Sequence, residues 1–193
     1  EVVFYFIHSM GAKQDFEGKD RISAQNFVNA CQNSQVERII YLGGLVDETH
    51  PNLSPHLRSR IEVGKIIRSS TTPSITLRAS IIIGSGSLSF ELIRHITETL
   101  PVMIAPKWIH LPTQPILVTD VLQYLINAIS LQISQHEIYE IGGKNSVSYK
   151  DLIKEYAAQR HLKRIIIRVP VLTPYLSSLW LGFVTPIYAR IGR

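Results

Sequence analysis

Residues 38–44 read Arg38-Ile39-Ile40-Tyr41-Leu42-Gly43-Gly44, a short apolar run that ends at two glycines. A run of this length bounded by turn residues predicts a buried strand over 38–42. A similar run at 2–7, Val-Val-Phe-Tyr-Phe-Ile, precedes it. Between the two, Phe16 to Ser34 has the apolar spacing of a helix. Strand, helix and strand in this order predict two parallel strands joined by a crossover helix.

The same alternation continues toward the C-terminus. Further strands are predicted at 74–83, 138–141 and 164–169, and further helices at 89–99 and 121–131, the latter capped by Asp120. Ser54-Pro55 places a cap residue before a proline at the first helical position, and Ser148-x-x-Asp151 is a capping-box pattern. The chain is therefore predicted to be an α/β protein built on a parallel sheet.

The ends of the chain and one internal segment break this pattern. Four prolines and a tryptophan indicate a loop-rich insertion at 101–118 inside a domain that spans 1–162. Residues 163–193 are predicted to be an apolar connector, and prolines divide 169–193 into stretches too short to span a bilayer. We expect 169–193 to contact a further domain or a membrane surface. The strand that starts at residue 2 without a lead-in predicts a fragment.

Composition excludes several classes of protein. The chain is 45% hydrophobic and 18% charged, which suits a globular core and argues against disorder. The single cysteine, Cys31, excludes a disulfide framework and predicts a buried side chain in a reduced, cytoplasmic protein. The net charge of +5 comes from short groups such as Arg58/Arg60 and Lys163/Arg164/Arg168, which suit an anionic ligand. Without a long basic run, we expect no nucleic-acid partner.

Small and polar residues follow the predicted strands. His8-Ser9, Gly43-Gly44, Ala79-Ser80 and Gly84-Ser85 lie at or near their carboxyl ends, where open parallel sheets bind ligands. Taken alone, each is equally well a turn glycine or a cap serine. The run 84–89, Gly-Ser-Gly-Ser-Leu-Ser, partly matches a dinucleotide-binding glycine loop, with a flexible turn as the alternative. No two histidines or carboxylates have metal-ligand spacing, so no metal site is predicted.

Several longer phrases resemble one protein family. They are Tyr41-Leu42-Gly43-Gly44-Leu45, the run from Leu53 to Lys65, the run from Leu77 to Gly86, Gln114-Pro115-Ile116 to Asp120-Val121, and Ile141-Gly142-Gly143. Together they make residues 2–160 similar to the atypical short-chain dehydrogenase/reductases of the NmrA-like group. The resemblance implies the C-terminal part of a Rossmann-like, doubly wound parallel sheet with a small loop-rich subdomain on the substrate side. It places the glycine-rich phosphate loop upstream of Glu1.

The resemblance also implies a cofactor, NAD or NADP, and the residues that bind it. These are His8, Ser9, Gly43, Gly44, Lys65, Ala79, Ser80, Ile81 and Ile82. Gly84, Phe90, Trp108 and Gln114 are expected on the substrate side, with simple packing as the alternative for the aromatics. The implied partners are the cofactor and an unknown small substrate.

The usual catalytic set of this family is incomplete here. Its serine falls on Gly43 or Gly44 and its tyrosine on Ile61, and an isoleucine cannot transfer a proton. Only the lysine, Lys65, remains, with a solvated lysine paired to Glu62 as the alternative. Substitute proton carriers are His8 and Ser9 at the strand end, and His56 or His110 from loops. A lone histidine is more often a hydrogen-bonded structural residue.

Two functions stay open at this stage. The first is an oxidoreductase that uses NAD(P) on an unknown substrate. The second, which the missing serine and tyrosine favour, is a non-catalytic redox sensor, regulator or assembly factor that binds NAD(P). The expected location is cytoplasmic, with a membrane-peripheral one as the alternative.

Overall fold

The computed structural model describes residues 1–9, 15–48, 53–105 and 107–168, apart from the side chains of Lys107, Trp108 and Arg168. The chain forms two compact units. The first contains Glu1–Ser80 and Val118–Gly142, and the second contains Ile81–Leu117 and the chain from Gly143 onward. The division into a domain at 1–162 and a connector stays a prediction.

The elements follow the predicted α/β alternation. In chain order they are β1 (Val2–Tyr5), α1 (Phe16–Gln32), β2 (Arg38–Gly44), α2 (Pro55–Arg68), β3 (Ser74–Ala79), β4 (Ile82–Ile83), α3 (Leu88–Thr99), β5 (Val102–Ala105), the 3-10 helix η1 (Lys107–His110), β6 (Pro112–Thr113), β7 (Ile116–Leu117), α4 (Val118–Ser130), β8 (Glu137–Ile141), β9 (Val147–Ser148), α5 (Tyr149–Gln159) and β10 (Ile165–Arg168).

The first unit is built on a four-stranded sheet in the order β1-β2-β3-β8, with every pair parallel. In its register Tyr5 stands opposite Tyr41, Tyr41 opposite Thr76, and Leu77 opposite Tyr139. Parallel pairing brings the carboxyl ends of the strands to one edge, as the sequence predicts.

Helices cover both faces of this sheet. Ile39 and Tyr41 face α1 and α2, where they share a core with Ala24, Val28 and Val63. Ile75 and Leu77 alternate to the other face, where residues of α4 line a cavity with them. The expected doubly wound, Rossmann-like arrangement is therefore present. Cys31 is buried in the first of these cores.

The predicted helix starts are largely confirmed. Ser54 caps α2 by accepting a hydrogen bond from the Leu57 N–H at 3.3 Å, and Pro55 is the first helical residue. Ser148 and Asp151 form the capping box of α5. The prediction for Asp120 is wrong, because α4 already begins at Val118 and Asp120 lies inside its first turn.

Two strand predictions also need correction. The run 74–83 does not form one strand, because β3 ends at Ala79 and β4 pairs with β7 in the second unit. The Ile116 N–H donates to the Ile81 carbonyl at 2.9 Å, which commits the chain after Ser80 to this second pairing. The first strand is not fully buried either, since Phe4 is 37% and Phe6 55% exposed.

The second unit holds most of the predicted loop-rich insertion. Three short strand pairs form there: β5 with β10, β4 with β7, and β6 with β9. Its core contains Ile93, Met103, Ala105, Ile109 and Ile153. The segment 101–118 therefore contains less irregular structure than its prolines predict.

No helix in the described ranges is long and apolar enough to span a membrane. The segment 169–193, expected to contact a further domain or a membrane surface, lies outside the described residues.

Truncating Ile39 tests the core between the sheet and α1/α2. Ile39 is fully buried, so Ile39→Ala is expected to lower the free energy of unfolding by about 2–5 kcal/mol through lost burial and a cavity. Ile22→Ala is the control, since Ile22 is 61% exposed and its loss should change the unfolding free energy by about 0.5 kcal/mol or less. Urea unfolding of both variants measures this, and equal losses would contradict the burial of Ile39.

Candidate active site

The carboxyl edge of the first unit collects most of the residues expected to bind a cofactor. His8 lies three residues beyond Tyr5, where the pairing of β1 with β2 ends, and Gly44 lies three residues beyond Tyr41, the partner of Tyr5. Gly44 pairs with Ala79, and the Leu45 N–H donates to the Ala79 carbonyl at 2.8 Å. The structure thus brings His8, Gly44 and Ala79 to one edge, with Ser9 and Ser80 next to them in the chain.

The two glycines of this edge have different surroundings. A Cβ on Gly44 would lie 3.9 Å from Leu57 Cδ2, which shows that Gly44 faces the first turn of α2. A Cβ on Gly43 would lie 3.1 Å from the Tyr41 ring, so a side chain there would require that ring to shift. Gly43 is therefore needed for packing whatever its role toward a ligand.

A fully buried carboxylate, Asp20, lies beneath this edge in the second turn of α1. Its Oδ1 accepts the Ser9 N–H at 2.7 Å. Its Oδ2 accepts the Ser59 hydroxyl at 2.7 Å, Arg60 Nη2 at 2.8 Å and His8 Nδ1 at 3.3 Å. Asp20 thereby joins the end of β1 to α2.

These contacts keep Asp20 ionised. Burial alone would raise the pKa of the carboxyl, but hydrogen bonds from Ser59 and Ser9 and the charge of Arg60 outweigh it and lower the pKa to about 2. At neutral pH Asp20 is an acceptor only, so His8 must carry its proton on Nδ1 to bond with it.

A second histidine extends this contact toward α2. Nε2 of His8 lies 3.1 Å from Nε2 of His56, which stands in the first turn of α2 next to Leu57, the residue that faces Gly44. Burial lowers the pKa of both imidazoles; Arg60 lowers both further, and His8 adds to the effect on His56. The two rings are therefore neutral at neutral pH, and His56 donates from Nε2 to the unprotonated Nε2 of His8.

Lys65 stands apart from the histidine pair. It is exposed and lies nine residues beyond His56 on α2, about 13 Å along the helix axis. The alternative pairing of Lys65 with Glu62 is not formed, because Arg21 binds both carboxylate oxygens of Glu62, at 2.5 and 3.1 Å.

The remaining predicted cofactor residues, Ile81 and Ile82, and the substrate-side residue Gly84 belong to the second unit. The backbone of Gly86 has φ +83°, a conformation that favours glycine, and the Ser87 hydroxyl donates to the Ile82 carbonyl at 2.5 Å. Ser87 therefore does not cap α3, and Glu91 in the first turn disfavours an anion there. These contacts favour the turn over a phosphate-binding loop.

The other substrate-side residues also lie in the second unit. Phe90 packs edge-on against Tyr156 with ring centroids 5.9 Å apart, in line with the packing alternative. The amide of Gln114 donates to the Gly143 carbonyl at 2.7 Å. Trp108 and His110 lie in η1, and the Trp108 side chain is outside the described part of the chain.

Three arginines of the predicted basic groups have partners within the protein. Arg60 pairs with Asp20, and Arg58 pairs with Glu17 at 3.4 Å. Arg164 donates to the last carbonyls of α3, those of Thr97 at 2.5 Å and Glu98 at 3.0 Å. These arginines stabilise the fold rather than stand ready for an anionic ligand.

Sequence reasoning missed Asp20 and Ser59, and it expected Arg60 to suit an anionic ligand rather than to pair with Asp20. A signal for Asp20 was present, because it falls at helical spacing between Phe16 and Ala24, on the face that α1 buries. A carboxylate on a buried helix face needs donors, which marks a polar cluster. In the parts of the chain that the structure describes, no three histidine, cysteine or carboxylate side chains are grouped to hold a metal.

Comparison with known proteins finds structures with the same fold but no matching family. No protein-family model matches the chain, and no curated protein does. Among solved structures, MoeE5 in complex with UDP-glucuronic acid and NAD superposes with a TM-score of 0.70 at 17% identity, over 88% of this chain and 65% of that one. The chain shares the fold of MoeE5. The Rossmann-like prediction is thereby confirmed.

Two further structures agree. WbmH from Bordetella bronchiseptica in complex with NAD+ gives a TM-score of 0.65 at 15% identity, over 99% of this chain and 73% of that one. The UDP-Glc/GlcNAc 4-epimerase from Campylobacter jejuni gives 0.66 at 14%, over 88% and 64%. This chain thus spans about two thirds of the length of these proteins, and at such identities the likeness shows the fold alone.

The buried carboxylate predicts a pH dependence of stability. The pKa of Asp20 is about 2 in the folded chain and about 3.9 in an unfolded one, so its contribution is present above pH 4 and lost as pH falls through 2. The stability advantage of the wild type over Asp20→Asn is expected to shrink by about 2 kcal/mol between pH 7 and pH 2. Urea unfolding across this range measures it, with exposed Asp120→Asn as control, and a constant difference would refute the assignment.

Proposed function

We propose that this chain is the C-terminal part of an NAD(P)-binding domain of the atypical short-chain dehydrogenase/reductase type, in the NmrA-like group, and that the whole protein is an oxidoreductase. The observation that carries the proposal is the carboxyl edge of the first unit. There Gly44 pairs with Ala79, and His8 and Ser9, both bonded to Asp20, follow the neighbouring strand. Solved structures with this fold hold NAD.

The residues at this edge suit a dinucleotide. Small residues at 43, 44, 79 and 80 allow a ligand to approach the backbone closely. Lys65 has no ion-pair partner among the described residues, because Arg21 occupies Glu62, so its ammonium can donate to ribose hydroxyls. The bound cofactor would supply hydride transfer, and the chain would supply orientation and a proton carrier.

The substrate would be a small molecule with an alcohol or carbonyl group. Oxidation of the alcohol by NAD(P)+ gives the carbonyl, NAD(P)H and a proton, and reduction is the reverse. MoeE5 has been solved with UDP-glucuronic acid and with UDP-glucose, which makes sugar nucleotides one class to test. We also propose a cytoplasmic location, which the buried, unpaired Cys31 supports.

A second candidate function is a redox sensor or assembly factor that binds NAD(P) without turnover. It is favoured by Ile61 and by Gly43 and Gly44, which replace the tyrosine and serine of the related enzymes with groups that transfer no proton. The two candidates share the cofactor site and differ in consumption of NAD(P)H.

Cofactor binding is tested on the natural full-length protein. Calorimetric titration with NADH and NADPH is expected to show binding of at least one, and Lys65→Ala to weaken it about 10-fold by loss of hydrogen bonds to the ribose. Lys154→Ala, an exposed lysine of α5, is the matched control and should bind like the wild type. If neither nucleotide binds, both candidate functions fail together.

Turnover separates the two candidates. The full-length protein with NAD(P)H is incubated with aldehydes, ketones and quinones, and with NAD(P)+ and UDP-glucose, while absorbance at the nicotinamide band is followed. An oxidoreductase changes the absorbance with at least one substrate. Tight binding without any turnover would instead favour the sensor.

A further inference from the structure

We propose that His56, linked through His8 to Asp20, is the proton carrier of this site. It takes the role of the tyrosine whose position Ile61 occupies in this chain. The inference rests on the proposed oxidoreductase function and assigns a residue to its chemistry. Its basis is the continuous contact from the buried carboxylate through two imidazole rings to the first turn of α2, where the next residue, Leu57, faces Gly44.

The direction of each hydrogen bond follows from the buried end. Ionised Asp20 accepts only, so Nδ1–H of His8 donates to it and Nε2 of His8 keeps its lone pair. Nε2–H of His56 must then donate to that lone pair across 3.1 Å. Nδ1 of His56 is left as an unprotonated acceptor, and no hydrogen bond to it is formed within the described ranges.

A structural histidine of the same unit has a different arrangement. Nδ1 of His136 lies 2.9 Å from the Ser74 hydroxyl, and its Nε2 lies 3.1 Å from the Ser70 carbonyl. Both ring nitrogens of His136 are thus bonded to the protein, whereas His56 has one nitrogen open. A half-buried ring with a fixed tautomer and one open nitrogen is what a general base requires.

The proton balance of the reaction then closes. In alcohol oxidation Nδ1 of His56 would take the substrate O–H proton and become part of an imidazolium, and bound NAD(P)+ would supply the hydride acceptor that lets the alcohol become the carbonyl. The Nε2 proton of His56 can pass to Nε2 of His8, which moves the positive charge next to ionised Asp20. In carbonyl reduction the same proton returns from His56 to oxygen.

The charges around the pair favour the base form at neutral pH. Asp20 faces it from α1 and Arg60 from α2, and burial is the largest influence on both rings. Burial and Arg60 lower the pKa of each imidazole, and Asp20 raises it only in part. His56 is therefore unprotonated and ready to accept a proton at neutral pH.

The test compares His56→Gln with His136→Gln in the full-length protein. His56→Gln is expected to lower kcat about 100-fold or more in both directions, while the calorimetric Kd for NAD(P)H changes little. His136→Gln should leave kcat unchanged. Because His56 is only half-buried, its replacement should not unfold the protein.

The pH profile gives a readout that a structural role would not move. In the wild type, kcat for oxidation should rise and kcat for reduction should fall with pH through one pKa below the ordinary imidazole value. His56→Gln should remove this limb in both directions. His8→Leu, which cuts the link to Asp20, should keep the limb but move its pKa, since His8 then no longer repels a charge on His56.

Chemical rescue completes the assignment. Added imidazole should restore part of the lost kcat to His56→Ala and none to Lys65→Ala.

The outcomes separate this inference from the proposed function. Absence of nucleotide binding removes the function and the inference with it. Binding without turnover leaves cofactor binding intact but overturns the inference. Turnover with an unchanged kcat and pH limb in His56→Gln keeps the oxidoreductase and overturns the role of His56.

Discussion

The buried charge of Asp20 is the constraint on which the carboxyl edge of the first unit depends. An ionised carboxylate without partners in a protein interior is very costly, so the fold must supply donors wherever it places one. Here the donors come from the strand end, through Ser9 and His8, and from α2, through Ser59 and Arg60. One side chain thus fixes the positions of β1, α1 and α2 relative to each other.

Two buried polar groups near Asp20 lack hydrogen-bond partners among the described residues. Nε of Arg60 and the hydroxyl of Tyr5 are buried without a hydrogen-bond partner within the described part of the chain. Burial raises the pKa of Tyr5 to about 12, so its hydroxyl stays protonated and cannot replace a catalytic tyrosine near neutral pH. The described groups at this edge that are left to exchange a proton are therefore the imidazoles of His8 and His56, whose pKa values burial lowers.

Local patterns in the sequence predicted the helices and strands, but they did not predict which strands pair. The caps at Ser54 and Ser148 were predictable because a cap involves residues three positions apart. The break after Ala79 was not, because it depends on the hydrogen bond between Ile116 and Ile81, 35 residues apart. An apolar run looks the same whether one strand or two use it, so only long-range contacts decide.

The same limit applies to the proton carrier proposed for this edge. A family comparison asks which residue stands at the tyrosine position and finds Ile61, five residues beyond His56 on the same helix. What proton transfer requires is an open nitrogen with a fixed tautomer, and the tautomer of His56 is set by His8, 48 residues away, and by Asp20. On the function proposed above, the chain would lose the usual residue and keep the chemistry, because a buried carboxylate orients another ring at the same edge.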